Sequence, residues 1–466
     1  MKIKKLSRRA FRRAVREGRG SVFLHLSSYG LKGGRKILVS ALEENPCFCS
    51  IEGGGCGARS HDQPERVDWL LRLLDSSDMM GTCVDHIEKL LKDKRWLQST
   101  SNSAFSQMAL IAAYLFERGH ARFKPHLFRL AMEPRLKKNP ELIAAALSVV
   151  ASFEGLDRVV KMLSESSASC WQYGAAYQAA CKVLGEEQVE EFIQSRLSQG
   201  NAFALFKYEV GQAKKFRGLF GRLISYCLEG PPTSEAVLNR IEFDSCRAMG
   251  TEQYKAFAEK AKMSELLQMA NRIETEEDKK KLCCYLAIFH SVDLPSLSPR
   301  LLSLINDKES SVRQATVMAL SRLQDRQVRK LALELLLARG AEEVEYGLRL
   351  LEKNFDQTDT VVVARALKAV KKEHDRHRIS ECLLRLTEAN GQAALGFLPW
   401  VLENSPCPAC RKQALQLLVA SECAPLGFFV EAQWDVDREV REISRQKASA
   451  LYSVSIAAAG ASQMQH

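Results

Sequence analysis

The sequence has no stretch of about 18 or more uncharged apolar residues, so nothing in it predicts a transmembrane span. Its basic N-terminal stretch lacks the apolar block of a secretory signal. Aromatic and β-branched residues rarely alternate with polar ones, so no period-two run predicts a strand. Glycine and proline are few, 26 and 13 of 466 residues. There is no Gly-x-Ser-x-Gly, no His-Glu-x-x-His, no Walker loop and no kinase signature set. At the level of motifs these absences remove the commonest hydrolase, zinc-protease and phosphoryl-transfer chemistries. The expectation is a soluble, cytoplasmic, all-helical protein without catalysis and without a cofactor. The fourteen cysteines fit a reducing compartment, because many fall on apolar helix faces (Cys181, Cys227, Cys283, Cys382), where a thiol behaves as a small hydrophobe.

What is present is a repeat. From Leu301 to Val454 the chain reads as helices cut about every sixteen residues and falling into pairs. Helix openings recur at Ser311, Glu342, Arg376, Cys407 and Asp437. The apolar residues Val312, Val344, Ile379, Cys410 and Val440 superpose at steps of 32, 35, 31 and 30. A small or apolar residue returns three or four positions after each of the first four, as at Ala315, Gly347 and Leu348, Cys382 and Leu383, and Ala414; the Val440 copy is weakest. A single hairpin of about 32 residues cannot bury its own stripe, so neighbouring pairs must stack into one continuous core. Small residues at Ala315, Ala319, Gly347 and Ala414 allow close approach. The predicted fold class is all-α, an α-solenoid of stacked helical hairpins.

Ser311-Val312-Arg313 and the run from Asp435 to Arg441 resemble the Asp-x-x-Val-Arg helix starts of HEAT and armadillo-like repeats, in particular those of bacterial-type HEAT-repeat proteins. The resemblance implies an Asp that caps the helix, a Val that points inward and an Arg that reaches back to the preceding acid. It also implies a scaffold that binds a protein partner along a concave inner face. The match covers about 150 residues. Glu342 to Asn354 lacks a Val-Arg pair, and Pro399 and Pro406 interrupt neighbouring units.

The expected organisation is a basic amphipathic helix over 1–20, then a short helical pair with a Gly- and Cys-rich loop over 21–64. Degenerate helical repeats follow over 65–230, charged connector repeats over 231–299, HEAT-like repeats over 300–454 and a disordered tail over 455–466. Residues 1–20 hold nine Lys or Arg against Glu17, which is 9 − 1 = +8 of the total +11. Ile3, Leu6, Ala10, Phe11, Ala14 and Val15 share one helical face there. Lys4, Lys5, Arg8, Arg9, Arg12, Arg13 and Arg16 therefore form a candidate anion- or partner-binding face. Three roles compete: a solvated cap on the first repeat, docking on nucleic acid or an anionic membrane surface, and pairing with an acidic tract of a protein.

Other constellations are weaker. Cys47, Cys49, Cys56 and His61 could offer four zinc ligands around a run of glycines, but without the spacing of paired Cys-x-x-Cys knuckles. Cys407-Pro408-Ala409-Cys410 stands at a helix start, away from the βαβ setting of a redox motif, with Cys410 on the inward position. Glu373, His374, His377 and Cys382 cluster near one turn, and nothing else within that repeat completes a metal shell. Trp171, Tyr173 and Tyr177 read as core before they read as a base-stacking platform. Arg313, Arg329, Arg349, Lys368 and Arg385 could line one ridge, or pair with neighbouring acids.

Overall fold

The computed structural model describes residues 3–46, 63–131, 153–165, 170–199, 201–212, 233–243, 251–338, 340–423 and 426–449. Among these every regular element is a helix, and none is a strand. The chain divides into two units. The first comprises 1–51, 57–227 and 426–466, and the second 52–56 and 228–425. The 300–454 run therefore splits, with its last part belonging to the first unit.

In the first unit the chain begins with α1 (Arg8–Glu17), α2 (Ser21–Tyr29) and α3 (Arg35–Glu43). The amphipathic helix expected over 1–20 is thus shorter than predicted. Ser7 caps it, its Oγ accepting from the Ala10 amide at 3.2 Å. The backbone before that cap is held by side chains of α2 instead of by helical bonds. Leu6 N donates to His25 Nδ1 at 3.0 Å, and Tyr29 Oη donates to Ile3 O at 2.7 Å. The apolar face predicted for α1 is correct where the helix exists: Phe11, Ala14 and Val15 are buried.

Next come α4 (Gln63–Ser76), α5 (Met80–Lys92), α6 (Lys94–Ser99), α7 (Asn102–Glu117) and α8 (Lys124–Ala131). Their apolar faces join those of α1–α3 in one core that runs from Phe11 to Leu127. A polar node crosses this core. Gln107 donates to the carbonyls of Ala41 and Leu42 at 2.9 Å and accepts from Arg66 Nε at 2.9 Å. It thereby satisfies carbonyls at the end of α3 that no helical amide reaches. A second core joins α9 (Phe153–Ser164), α10 (Cys170–Leu184), α11 (Glu186–Arg196) and the helical segment 201–212. Tyr173 and Tyr177 are buried in it, with the Tyr173 ring 5.8 Å from Phe206.

The segment 426–449 packs on α2, α4 and the end of α1. Val436 N donates to Gly18 O at 2.9 Å, and Trp69 Nε1 donates to Trp434 O at 2.8 Å. The Phe23 and Trp434 rings stack at 5.3 Å. Gly18 ends α1 at φ 68, and a Cβ there would stand 2.6 Å from Val436. A Cβ on Gly20 would stand 1.9 Å from Glu431 O. Only glycine permits this approach.

The second unit contains α12 (Ser234–Phe243), α13 (Thr251–Ala258), α14 (Met263–Thr275), α15 (Lys279–Ile288), α16 (Pro299–Ser303), α17 (Ser310–Leu320) and α18 (Arg326–Leu337). It continues through α19 (Ala341–Leu350), α20 (Thr360–Leu367), α21 (Glu373–Asn390), α22 (Leu398–Asn404) and α23 (Pro408–Ala420). Here helices rest on the next but one as well as on the next: α15 on α17, α17 on α19, α19 on α21, and α21 on α23. The starts 279, 310, 341, 373 and 408 differ by 31, 31, 32 and 35. This is the local stacking that an α-solenoid requires. The predicted stripe is its core, because Val312, Val344, Ile379 and Cys410 are each 0% exposed. Gly347 lies so close to α18 that a Cβ would stand 2.8 Å from Ala332 O.

Candidate partner-binding surface

The basic face is built by α1 and the five residues before it. Glu17 is buried and takes Arg13 at 2.8 Å and, from the other side, Arg19. Arg19 is buried by this pairing, whereas Arg13 stays half-exposed. Lys4, Lys5, Arg8, Arg9, Arg12 and Arg16 are exposed. Lys5 Nζ lies 5.8 Å from the centre of the Tyr29 ring, a cation–π contact that fixes one edge of the patch. Arg12 and Arg16 also line a hollow of about 250 Å³ with Arg66, Ser40 and Glu44. Arg66 is 8% exposed and donates to Arg16 O at 3.1 Å, so the hollow has a basic wall held by α4.

The ridge of arginines in the second unit has a different role. Arg313 Nη2 meets Glu342 at 2.7 Å, one repeat further on, and Tyr346 Oη donates to the same carboxylate at 2.7 Å. Tyr346 first, then Arg313, holds that carboxyl below the ordinary range. Arg329 meets Asp359 at 2.7 Å, and Arg349 and Arg378 both meet Glu345, at 3.1 and 2.7 Å. These are ties between or within neighbouring repeats. Lys368 is exposed, and Arg385 is half-buried.

The Val-Arg arginines use a contact that the resemblance did not imply. Arg313 Nη1 donates to the carbonyls of Asp307 and Lys308 at 2.9 and 3.1 Å. Arg411 does the same to Ser405 and Pro406, and Arg441 to Asp435 and Val436. In all three the guanidinium clamps the backbone six and five residues back, so it reaches the preceding turn's carbonyls. The helix-capping Asp is present at Asp437, which accepts from Val440 N at 3.0 Å.

The metal candidates Cys47, Cys49, Cys56 and His61 lie outside the described residues, as does Cys227. Cys181 and Cys283 are half-buried where full burial was expected. The cluster around His377 disperses. His374 is 73% exposed, and Cys382 Sγ faces Glu345 O at 4.0 Å. Burial pushes the Cys382 thiol up to about 12. His377 instead points to the next repeat, where its ring and the thiols of Cys407 and Cys410 lie within 4.8 Å of one another. Sequence reading treated these as two separate features. The repeat step was the available signal, because 377 + 31 = 408 places His377 beside the Cys-x-x-Cys turn.

Paired helices, a step near 31 residues and a buried stripe define an all-α repeat protein. A family model for the HEAT repeat matches residues 297–327, which include α16, α17 and the start of α18. The chain therefore carries a HEAT repeat within an all-helical fold. No curated protein matches it significantly. Among the described residues no helix is long and apolar enough to cross a membrane.

Proposed function

We propose that the chain is a non-catalytic HEAT-repeat scaffold that engages a protein partner bearing an acidic surface. The observation that carries this reading is the distribution of charge. Arg313, Arg329, Arg349 and Arg378 of the second unit are engaged by acids of the same unit, at Glu342, Asp359 and Glu345. The exposed cations at 4, 5, 8, 9, 12 and 16 are held on the folded α1 platform with a basic hollow beside them. A preorganised array of this kind steers an oppositely charged surface and fixes its orientation. A reducing, cytoplasmic setting belongs to the same reading, supported by the burial of Cys83, Cys284, Cys382, Cys407 and Cys410, which pack as small hydrophobes.

A second reading uses the same six side chains against nucleic-acid phosphates. If all six met phosphates of a duplex, log K would fall with log salt at a slope of about −5. Removing residues 1–20 is a poor test, because Phe11 and Val15 are core residues. The better variant changes Lys4, Lys5, Arg8, Arg9, Arg12 and Arg16 to Gln. Cross-linking of intact and variant chains in lysate, followed by binding measurements with the purified captured protein, tests the scaffold. One acidic partner that binds the intact chain at moderate salt, and the variant at least tenfold more weakly, supports it. A steep nucleic-acid slope that disappears in the variant, with no such partner, replaces it by the second reading.

A further inference from the structure

We propose that His377, Cys407 and Cys410 bind a zinc(II) ion that clips α21 to α23. Three soft or borderline ligand atoms converge from two successive repeats, each within 4.8 Å of the others. A tetrahedral zinc with bonds of about 2.3 Å to sulfur and about 2.0 Å to nitrogen separates its ligand atoms by roughly 3.5–3.8 Å. Side-chain adjustments of an ångström or less close the set onto an ion. Both cysteines are 0% exposed and His377 is 7% exposed, so the ligands are out of solvent.

The surrounding chain holds this arrangement. Cys407 is the N-cap of α23 and Pro408 its first residue, so Cys407 and Cys410 flank one helical turn as a Cys-x-x-Cys knuckle. Arg411 Nη1 donates to Ser405 O and Pro406 O, and Arg376 Nη1 donates to Asn404 O at 3.1 Å. Ser405 Oγ accepts from Cys407 N at 3.3 Å. Glu381, one turn along α21, has a carboxylate oxygen 3.5 Å from His377 Nε2. A carboxylate in that position orients a ligating imidazole and raises its basicity. Each thiol loses its proton as its sulfur bonds to the ion, so two protons are released to solvent. The dication and two thiolates sum to zero charge, which suits a buried place. A water takes the fourth position.

The test uses the full chain without a polyhistidine tag, reduced, loaded with zinc and desalted. Metal per chain is measured for the intact protein, for C407S/C410S and for H377N. The expected result is one equivalent lost in C407S/C410S and weakened retention against a chelator in H377N. Because Cys47, Cys49 and Cys56 are a separate candidate ligand set, a C47S/C49S/C56S variant is loaded with cobalt(II). It should show sulfur-to-cobalt charge transfer and the intense visible bands of a tetrahedral site. That measurement leaves the repeat core unaltered and stands if C407S/C410S fails to fold. Absence of those bands, or equal zinc in intact and C407S/C410S chains, overturns the proposal. So does a Cys407–Cys410 disulfide in protein taken from cells under thiol trapping.

Discussion

Gln107 offers the sharpest stability test. It is 0% exposed, donates to the Ala41 and Leu42 carbonyls at 2.9 Å and to Glu44 O at 3.2 Å, and accepts from Arg66 Nε at 2.9 Å. Leucine has nearly the same volume, so Gln107→Leu opens little space. It leaves the last carbonyls of α3 and a guanidinium N–H facing methyl groups. A buried polar group stripped of its partner costs about 1–3 kcal/mol, and toward the upper end when it is charged. Counting one carbonyl contact and the guanidinium contact as lost, about 2–6 kcal/mol, and subtracting about 1 kcal/mol of added apolar burial gives a net loss of about 1–5 kcal/mol. That is a large fraction of the ~5–15 kcal/mol that holds an ordinary domain folded. Urea unfolding followed by the fluorescence of Trp69, buried in the same unit, reads the loss directly. Adding Arg66→Met removes one of the stranded groups. The double variant should therefore cost at least about 1 kcal/mol less than the sum of the singles. A Gln107→Leu midpoint within about 0.5 kcal/mol of the parent would refute the argument that this node compensates α3's open end.

Two further outcomes follow from the first unit. Gly20→Ala should loosen segment 426–449, because its Cβ meets a backbone oxygen that cannot rotate away. The amide of Val436, bonded to Gly18 O, should then exchange more than tenfold faster, the equivalent of about 1.4 kcal/mol. Unchanged exchange there would show that the approach is not tight. His25 titrates below its ordinary value, chiefly through burial and then through Lys5. Its neutral form is the one that accepts from Leu6 N. A histidine depressed in the folded state contributes stability that is complete above about pH 6.5 and is lost as pH falls through the folded value. Melting temperature should drop between pH 7.5 and 5.5, and drop less in His25→Gln. Identical pH profiles for the two proteins would remove His25 from the account.

Much of the fold was legible because its signals are local. The 3.6-residue spacing of Val312, Ala315 and Ala319 identifies a helix without knowledge of its neighbours. The recurrence of that pattern predicts which face is covered. The cap at Asp437 could be read in the same way. The early end of the N-terminal helix could not, because His25 and Tyr29 capture the backbone at Leu6 and Ile3 from 19 and 26 residues away. The candidate site was only half legible. Its positive residues were plain, but Glu17 ties Arg13 and Arg19, and Glu342, Asp359 and Glu345 tie Arg313, Arg329 and Arg349 of the second unit's ridge.

By itself, then, the sequence determined an all-helical chain, a repeat near 31 residues, a buried apolar stripe and a concentration of positive charge before residue 20. Periodicity and net charge need no knowledge of distant contacts. Tertiary structure alone decided that His377 meets Cys407 and Cys410, and that arginines reach acids one repeat on. It also decided that Trp434 lies against Trp69, 365 residues earlier. Each of those pairings depends on which helix surfaces come to rest together, and many different partners could bury the same stripe.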